Sequence, residues 1–254
     1  MTCFWQPTSG CGAHCREGAG RPAAPGTATL RLMALAAVLG SGLLLVPLLR
    51  GLTLRVVARV MLRVLGIRVV RRGPVLRPGS LLVANHVSWL DILVLMAVTP
   101  MRVVAKGEVG AWPGIGVLAG RSGAIFIDRA RPKSLPGTVG EVADALRSGG
   151  TVAAFPEGTT FCGANRGRFR PALFQAAIDA GAPVVPVSIT YDSTAAAFVG
   201  DDTLLESVRR VAALRSLTVT VVAAPALRPV PGADRRVLAR AAQASMGGDY
   251  RLAA

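Results

Sequence analysis

Apolar positions change rhythm twice along this chain. From Met33 to Leu49 seventeen residues pass without a charge, bracketed by Arg31 and Arg50. That length stands at the lower limit for a helix that crosses a bilayer, and Gly40, Gly42 and Pro47 interrupt it. Over Leu52–Leu65 the pattern becomes one-sided. Arg55, Arg59 and Arg63 recur every fourth residue, while Leu54, Val57, Met61, Val64 and Leu65 fill much of the remaining helical circumference. A narrow arginine stripe beside a broad apolar face suits a helix lying at an anionic interface; a core-covering helix with solvated arginines is the plainer alternative.

From residue 67 short apolar runs alternate with helical patterns. The runs predict strands at Ile67–Arg71, Ser80–Ala84, Arg102–Ala105, Ala124–Ile127, Thr151–Phe155, Val184–Thr190 and Leu217–Ala223. Between them helices are predicted at Trp89–Ala97, Lys106–Leu118, Leu135–Arg147, Pro171–Ala180, Thr203–Val211 and Ala233–Ser245. Several strands are apolar throughout, as expected where helices cover both faces of a sheet. The pattern therefore predicts an α/β domain over 67–254, with a mostly parallel or mixed sheet covered by helices. An N-terminal apolar, membrane-associated helical segment is expected over 29–66. Residues 1–28, rich in Gly, Pro, Ala, Thr and Cys and without apolar periodicity, read as a disordered leader.

Composition sharpens the membrane expectation. Hydrophobic residues make up 52% of the 254, which excludes a disordered, solvating polymer. The charge is lopsided, with 29 basic against 14 acidic residues, and only Lys106 and Lys133 of the basic ones are lysine. A basic, apolar chain is drawn to anionic surfaces: phospholipid head groups, nucleic acid or phosphorylated substrates. Aromatic residues are only 5% and no recognition motif is visible, which argues against nucleic acid. Seven arginines fall between Arg50 and Arg72, against three before the apolar segment, so the positive-inside rule puts the remainder of the chain in the cytoplasm. No small-x-small cleavage site with a polar start follows Leu49, which argues against a cleaved signal peptide.

Four cysteines, at positions 3, 11, 15 and 162, do not make a disulfide scaffold in a chain this long. Cys11, His14 and Cys15 lie close together with Cys3 nearby. Their spacing lacks a paired two-residue gap and a second half, so no metal site is expected and a reduced leader is the better reading. Cys162, without a local base, is expected to be incidental.

Candidate chemistry lies where apolar strands end. His86 follows Leu81–Ala84, and Ser88 is placed to cap the helix that comes next. That puts an imidazole at the carboxyl end of a buried strand, where open α/β sheets bind ligands. With His86 in the turn and Asp91 in the first turns of the helix, the carboxylate can reach back to the ring. A carboxylate on one ring nitrogen fixes the tautomer and makes the other a better base for a hydroxyl proton. A structural His–Asp pair is the commoner use of these residues. Phe155–Pro156–Glu157–Gly158–Thr159–Thr160 follows a second apolar strand, and its amides and hydroxyls can form a cradle for an anion. Gly123–Arg129 ends a third strand with a guanidinium, whose fork matches phosphate; pairing with Asp128 or solvation is the plain alternative. Arg166, Arg168 and Arg170 add basic density beyond the Glu157 turn.

In this order the segments resemble the four sequence blocks of the glycerophospholipid acyltransferase family. Asn85–Asp91 is similar to its histidine–four residues–aspartate block, Gly123–Arg129 to the second, Phe155–Thr160 to the third, and Val184–Ile189 to the fourth. Lys106–Gly107–Glu108 resembles a lysine-bearing segment between the first two. The resemblance covers about 65–195. It implies transfer of a fatty acyl group from an acyl-CoA or acyl-carrier-protein thioester to the free hydroxyl of a lysophospholipid, with 1-acylglycerol-3-phosphate as the first candidate acceptor. His86 would be the general base and Asp91 its orienting acid. Arg129 with Glu157, Gly158 and Thr159 would hold the acceptor phosphate, and Lys106 would assist in binding substrate. No cofactor or metal is implied, and the enzyme would work at an anionic membrane surface. Val87 stands where phosphatidic-acid-forming members commonly carry glutamine, a variant also familiar from acyltransferases of amino-acid-containing lyso-lipids. Two rivals of other classes are a phosphate-ester enzyme, which would want a metal cluster or a Walker-type lysine loop, and a non-catalytic basic membrane-binding protein.

Overall fold

A computed structural model describes residues 7–16, 20–45, 50–112, 114–128 and 130–246. Two helices, α1 (Thr27–Leu45) and α2 (Arg50–Val64), precede the sheet. Seven strands follow: β1 (Ile67–Arg72), β2 (Leu81–Ala84), β3 (Arg102–Lys106), β4 (Ile125–Ile127), β5 (Val152–Ala154), β6 (Val184–Tyr191) and β7 (Leu217–Ala223). They form one sheet in the order β1-β7-β6-β2-β5-β3-β4. The pairs β6–β2, β2–β5, β5–β3 and β3–β4 are parallel, whereas β6–β7 is antiparallel and β1 runs parallel to β7. The sheet is therefore mixed, and β2 to β6 deliver their carboxyl ends to one edge.

Alternation along the strands divides the core in two. Leu82 and Ala84 of β2 face a layer containing α2, α3 (Leu90–Val98) and α8 (Leu204–Ala212). Leu81 and Val83 face α6 (Leu135–Arg147), α7 (Phe174–Ala180) and α9 (Arg235–Ser245). All four β2 residues are inaccessible to solvent, which is why the sequence shows an unbroken apolar run instead of alternation.

The helix expected over Lys106–Leu118 is two short helices, α4 (Gly107–Gly110) and α5 (Ile115–Arg121). The interruption falls before Gly114, which takes φ +71°, a conformation that a right-handed helix does not admit.

Arginines at the helix ends have work inside the protein. The carbonyls at the C-terminus of α3 receive Arg55 (Nε to Ala97 O, 3.4 Å; Nη2 to Val98 O, 3.0 Å) and Arg59 (Nε to Ala97 O, 3.0 Å). Arg31 of α1 likewise donates to the carbonyls of Ala212 and Leu214 where α8 ends. The last carbonyls of a helix have no partner within it and carry partial negative charge, so a guanidinium there is favourable. Two of the three arginines in the α2 stripe are thus engaged by α3, and Ala58, Met61 and Leu62 of the same helix are buried.

The N-terminal segment lies against the domain. Cys11 is 5% exposed and packs with Val87, Cys162, Ala197 and Val199. Arg16 pairs with Asp202 at 2.9 Å, and Pro22 bridges to Leu214. These contacts are single residues meeting distant loops, so they leave no periodicity in the sequence by which to separate them from a disordered leader. Residues 1–6 lie outside the described residues.

Candidate active site

The apolar strand β2 ends at Ala84, and the chain turns through His86 into α3. Asn85 fixes this turn to the neighbouring strand: its Oδ1 accepts the amide of Ile189 at 2.8 Å, and its Nδ2 donates to the carbonyl of Ile189 at 2.9 Å. Asp91, in the first turn of α3, reaches back as the spacing predicts. Its Oδ2 lies 2.9 Å from Nδ1 of His86 and also accepts the amides of Val87 (2.7 Å) and Ser88 (2.9 Å). Oδ1 accepts the Tyr191 hydroxyl at 2.5 Å. The Asp91 side chain is fully buried while that of His86 is 18% exposed. A buried carboxylate needs such partners, and the start of a helix favours its charge.

With Asp91 accepting at Nδ1, the lone pair of His86 rests on Nε2. Phe155, the residue after β5, stacks on the imidazole with centroids 4.1 Å apart and planes 19° from parallel. The ring is held on one face by the phenyl group and at one nitrogen by the carboxylate. This arrangement can take a proton from a hydroxyl presented to Nε2.

Glu157 braces the same turn from β5. One carboxylate oxygen accepts the amide of His86 at 2.7 Å and the other the amide of Gly167 at 3.0 Å. The residue is 4% exposed, and burial pushes its carboxyl up to about 7; the two amides oppose this, the Asp91 charge adds to it, and Arg166 opposes it. In the loop expected to hold the acceptor phosphate, the Glu157 carboxylate gives both oxygens to backbone amides, one of them that of the base itself. The Gly158 amide closes the turn onto the carbonyl of Phe155 at 3.0 Å, so an anionic ligand at this loop would meet the amide and hydroxyl of Thr159. Gly158 has φ +77°, and Pro7 of the N-terminal segment lies over it, 2.8 Å from where a Cβ would stand. The Arg170 stem lies 3.5 Å from the same Cβ position.

Lys106 is exposed at the end of β3. With β5 between β3 and β2, it stands two strand spacings, about 10 Å, from the β2 end. Arg129 lies outside the described residues; its neighbour Asp128 accepts the amide of Ala130 and pairs with Arg131 at 3.4 Å. The structure thus joins His86, Asp91 and Glu157 through direct hydrogen bonds and puts Gly158, Thr159 and Lys106 along the same edge. Tyr191, Phe155 and Asn85 were not anticipated as site residues. The usable signal for Tyr191 was its location at the end of an apolar strand, the criterion that singled out His86.

The acyltransferase family model matches residues 62–190, which contain every residue of this site except Tyr191, one position beyond the match. The chain belongs to the acyltransferase family. It is 36% identical over 162 residues to the 1-acyl-sn-glycerol-3-phosphate acyltransferase of Neisseria gonorrhoeae, covering 62% of this chain and 64% of that relative. This acyltransferase thus spans less than two thirds of the Neisseria protein's length. It is 38% identical over 179 residues to the lyso-ornithine lipid O-acyltransferase of Pseudomonas aeruginosa, covering 67% of each chain. Its fold is similar to the crystal structure of the 1-acyl-sn-glycerophosphate (LPA) acyltransferase of Thermotoga maritima, with TM-score 0.62, 20% identity, and coverage of 87% of this chain and 91% of the other.

Proposed function

We propose that this acyltransferase moves a fatty acyl group from an acyl-CoA or acyl-carrier-protein thioester to the free hydroxyl of a lysophospholipid, first of all 1-acylglycerol-3-phosphate, giving phosphatidic acid. The observation that carries the reading is the 2.9 Å contact between His86 Nδ1 and a buried Asp91, which leaves Nε2 for the acceptor. As the acceptor oxygen attacks the thioester carbonyl, its proton passes to Nε2. The tetrahedral intermediate then expels the thiolate, which takes that proton from the imidazolium. No acyl-enzyme is required, because the donor is already activated, and no cofactor beyond the thioester co-substrate enters. Thr159, in the Gly158 turn, and Arg129 hold the acceptor phosphate, with Lys106 farther along the edge; Glu157 keeps the loop in shape.

Residues 29–66 are proposed as the membrane-associated helices and 67–254 as the catalytic domain, at the cell membrane on its cytoplasmic side. The exposed face of α1 supports this. Leu30 (69% exposed), Met33 (65%) and Leu44 (77%) recur at helical spacing along one stripe, an apolar face that suits lipid. A second acceptor class is favoured by Val87, which is buried beside Cys11 and Cys162 and brings no polar side chain to the site. With it, the acceptor would be an amino-acid-containing lyso-lipid.

Incubation of the purified chain with radiolabelled acyl-CoA or acyl carrier protein and a panel of acceptors tests both. Transfer to lysophosphatidic acid supports the first reading, and transfer confined to lyso-ornithine lipid the second. No transfer to any hydroxyl acceptor in the presence of membranes overturns both. Arg129→Lys keeps the charge but loses the fork, so the KM for a phosphate-bearing acceptor should rise more than kcat falls.

A further inference from the structure

Local spacing offers Cys11 and Cys15 no second half; the fold supplies one. Cys162, more than a hundred positions away, brings its sulfur to the same point, and the three Sγ atoms all lie within 4.8 Å of one another. We propose that Cys11, Cys15 and Cys162 form a thiolate site for a soft divalent cation of the zinc class.

The geometry is near what the ion needs. Zinc–sulfur bonds of about 2.3 Å in a tetrahedral arrangement put sulfurs a little under 4 Å apart, so the cluster must close by roughly 1 Å. Two of the thiols are in place already, Cys11 at 5% and Cys162 at 9% exposure, within a small apolar cluster that includes Val87, Ala197 and Val199. Outer support exists too: the Asn165 side-chain amide donates to Cys11 Sγ at 3.9 Å, the kind of contact that steadies a metal-bound thiolate. The fourth corner falls to solvent, since the three sulfurs come together without a fourth side-chain ligand among the described residues. Three sulfurs meeting at one point argue for a metal over a disulfide, which would use two and strand the third. The chemistry selects against magnesium and calcium, which want oxygen ligands. Each thiol that ligates gives up its proton, so uptake weakens as pH falls.

The site would have a mechanical effect. Cys162 follows Phe161, whose amide donates to the carbonyl of His86 at 2.8 Å, and Pro7 covers Gly158 a few residues upstream. An ion shared by Cys11, Cys15 and Cys162 would fasten the N-terminal segment onto the loop after β5, which braces the turn that carries the base.

The test reads metal, not turnover, so it stands or falls separately from the acyl-transfer reading. The reduced full chain, in detergent, is loaded with Co²⁺ or Zn²⁺, desalted and assayed for metal content. One equivalent should remain, with the thiolate-to-cobalt charge-transfer absorption of a three-sulfur site. Cys162→Ser and Cys15→Ser should each weaken binding by at least about 100-fold and reduce that absorption by one thiolate's share. Circular dichroism and melting of each variant without metal establish that it is folded when its binding is measured. Absence of retained metal in the reduced wild type overturns the proposal, as does a folded Cys162→Ser that binds as tightly as wild type. A Cys11–Cys162 disulfide with no metal uptake after reduction does the same.

Discussion

The hydroxyl of Tyr191, at the end of β6, donates to Asp91 across a sequence separation of 100 residues. It completes the set of donors around a carboxylate that has no access to water. Burial first, then the Asp91 charge and the hydrogen bond, hold the phenol well above its ordinary range, so it stays a donor throughout the usable pH interval. Tyr191→Phe should lower stability by about 1.5–3 kcal/mol, as expected for a lost hydrogen bond to a charged group. Because Asp91 then orients the imidazole less firmly, kcat should fall about tenfold with acceptor KM unchanged. Tyr191 is thus a positioning residue. Equal kcat for the two proteins well below both melting temperatures would reduce it to a structural role.

His86→Ala should cost at least ~10²-fold to 10⁴-fold in acyl transfer without loss of fold or of lipid binding, since it removes the proton acceptor and little packing. Asp91→Asn should also cost more in rate than in structure, because the amide retains the shape but not the charge that stabilises an imidazolium. Initial rates with saturating thioester, beside melting curves, check both. Near wild-type turnover of His86→Ala would remove the imidazole from the reaction.

Glu157 makes a prediction about pH. Its carboxyl, near 4.5 when unfolded, rises to about 7 in the fold chiefly through burial. The folded state therefore binds the proton more tightly. The stabilisation linked to that proton is fully present below pH 4.5 and is lost as pH climbs through about 7. It amounts to at most about 3.5 kcal/mol. Glu157→Gln, which cannot titrate, should lack this slope, while losing stability at all pH because only one of its side-chain groups can accept an amide. Melting temperatures of the two proteins from pH 4 to 8 decide it: parallel curves would mean that the carboxyl titrates in its ordinary range.

How far these residues could be read from the sequence follows from how local their interactions are. The Leu217–Ala223 strand and the Leu135–Arg147 helix have the predicted bounds because their apolar spacing reports burial directly. The His86–Asp91 pair was legible because five residues across a strand–helix turn allow few arrangements. The reversed direction of β7 was not, since a strand reads the same from either end. Arg55 and Arg59 read as a lipid-facing stripe because nothing in their spacing reveals that α3 ends beside them. The Cys162 partnership is another long-range meeting that spacing cannot show.

That engagement changes what the arginine stripe should do. Arg63→Gln should weaken binding to anionic vesicles by about 1 kcal/mol and do so less in high salt. Arg55→Gln with Arg59→Gln should instead lower the melting temperature, by leaving the end of α3 without its donors. Replacing Leu30, Met33 and Leu44 of α1 by serine should reduce flotation with neutral and anionic vesicles alike. Undiminished flotation of that triple variant would remove α1 from the lipid contact.

The capping of α3 by α2 also acts as a depth gauge. From the capped carbonyl of Ala97 to Asp91 is six residues of rigid helix, about 9 Å, with no loop between. With the helix pair seated in lipid, the imidazole therefore rides at one fixed height in the head-group layer. On the proposed membrane reading, a hydroxyl would be selected first by how deep it lies. Two acceptors with different head groups but the same distance from acyl chain to hydroxyl would be equivalent at this step, leaving the phosphate cradle to tell them apart.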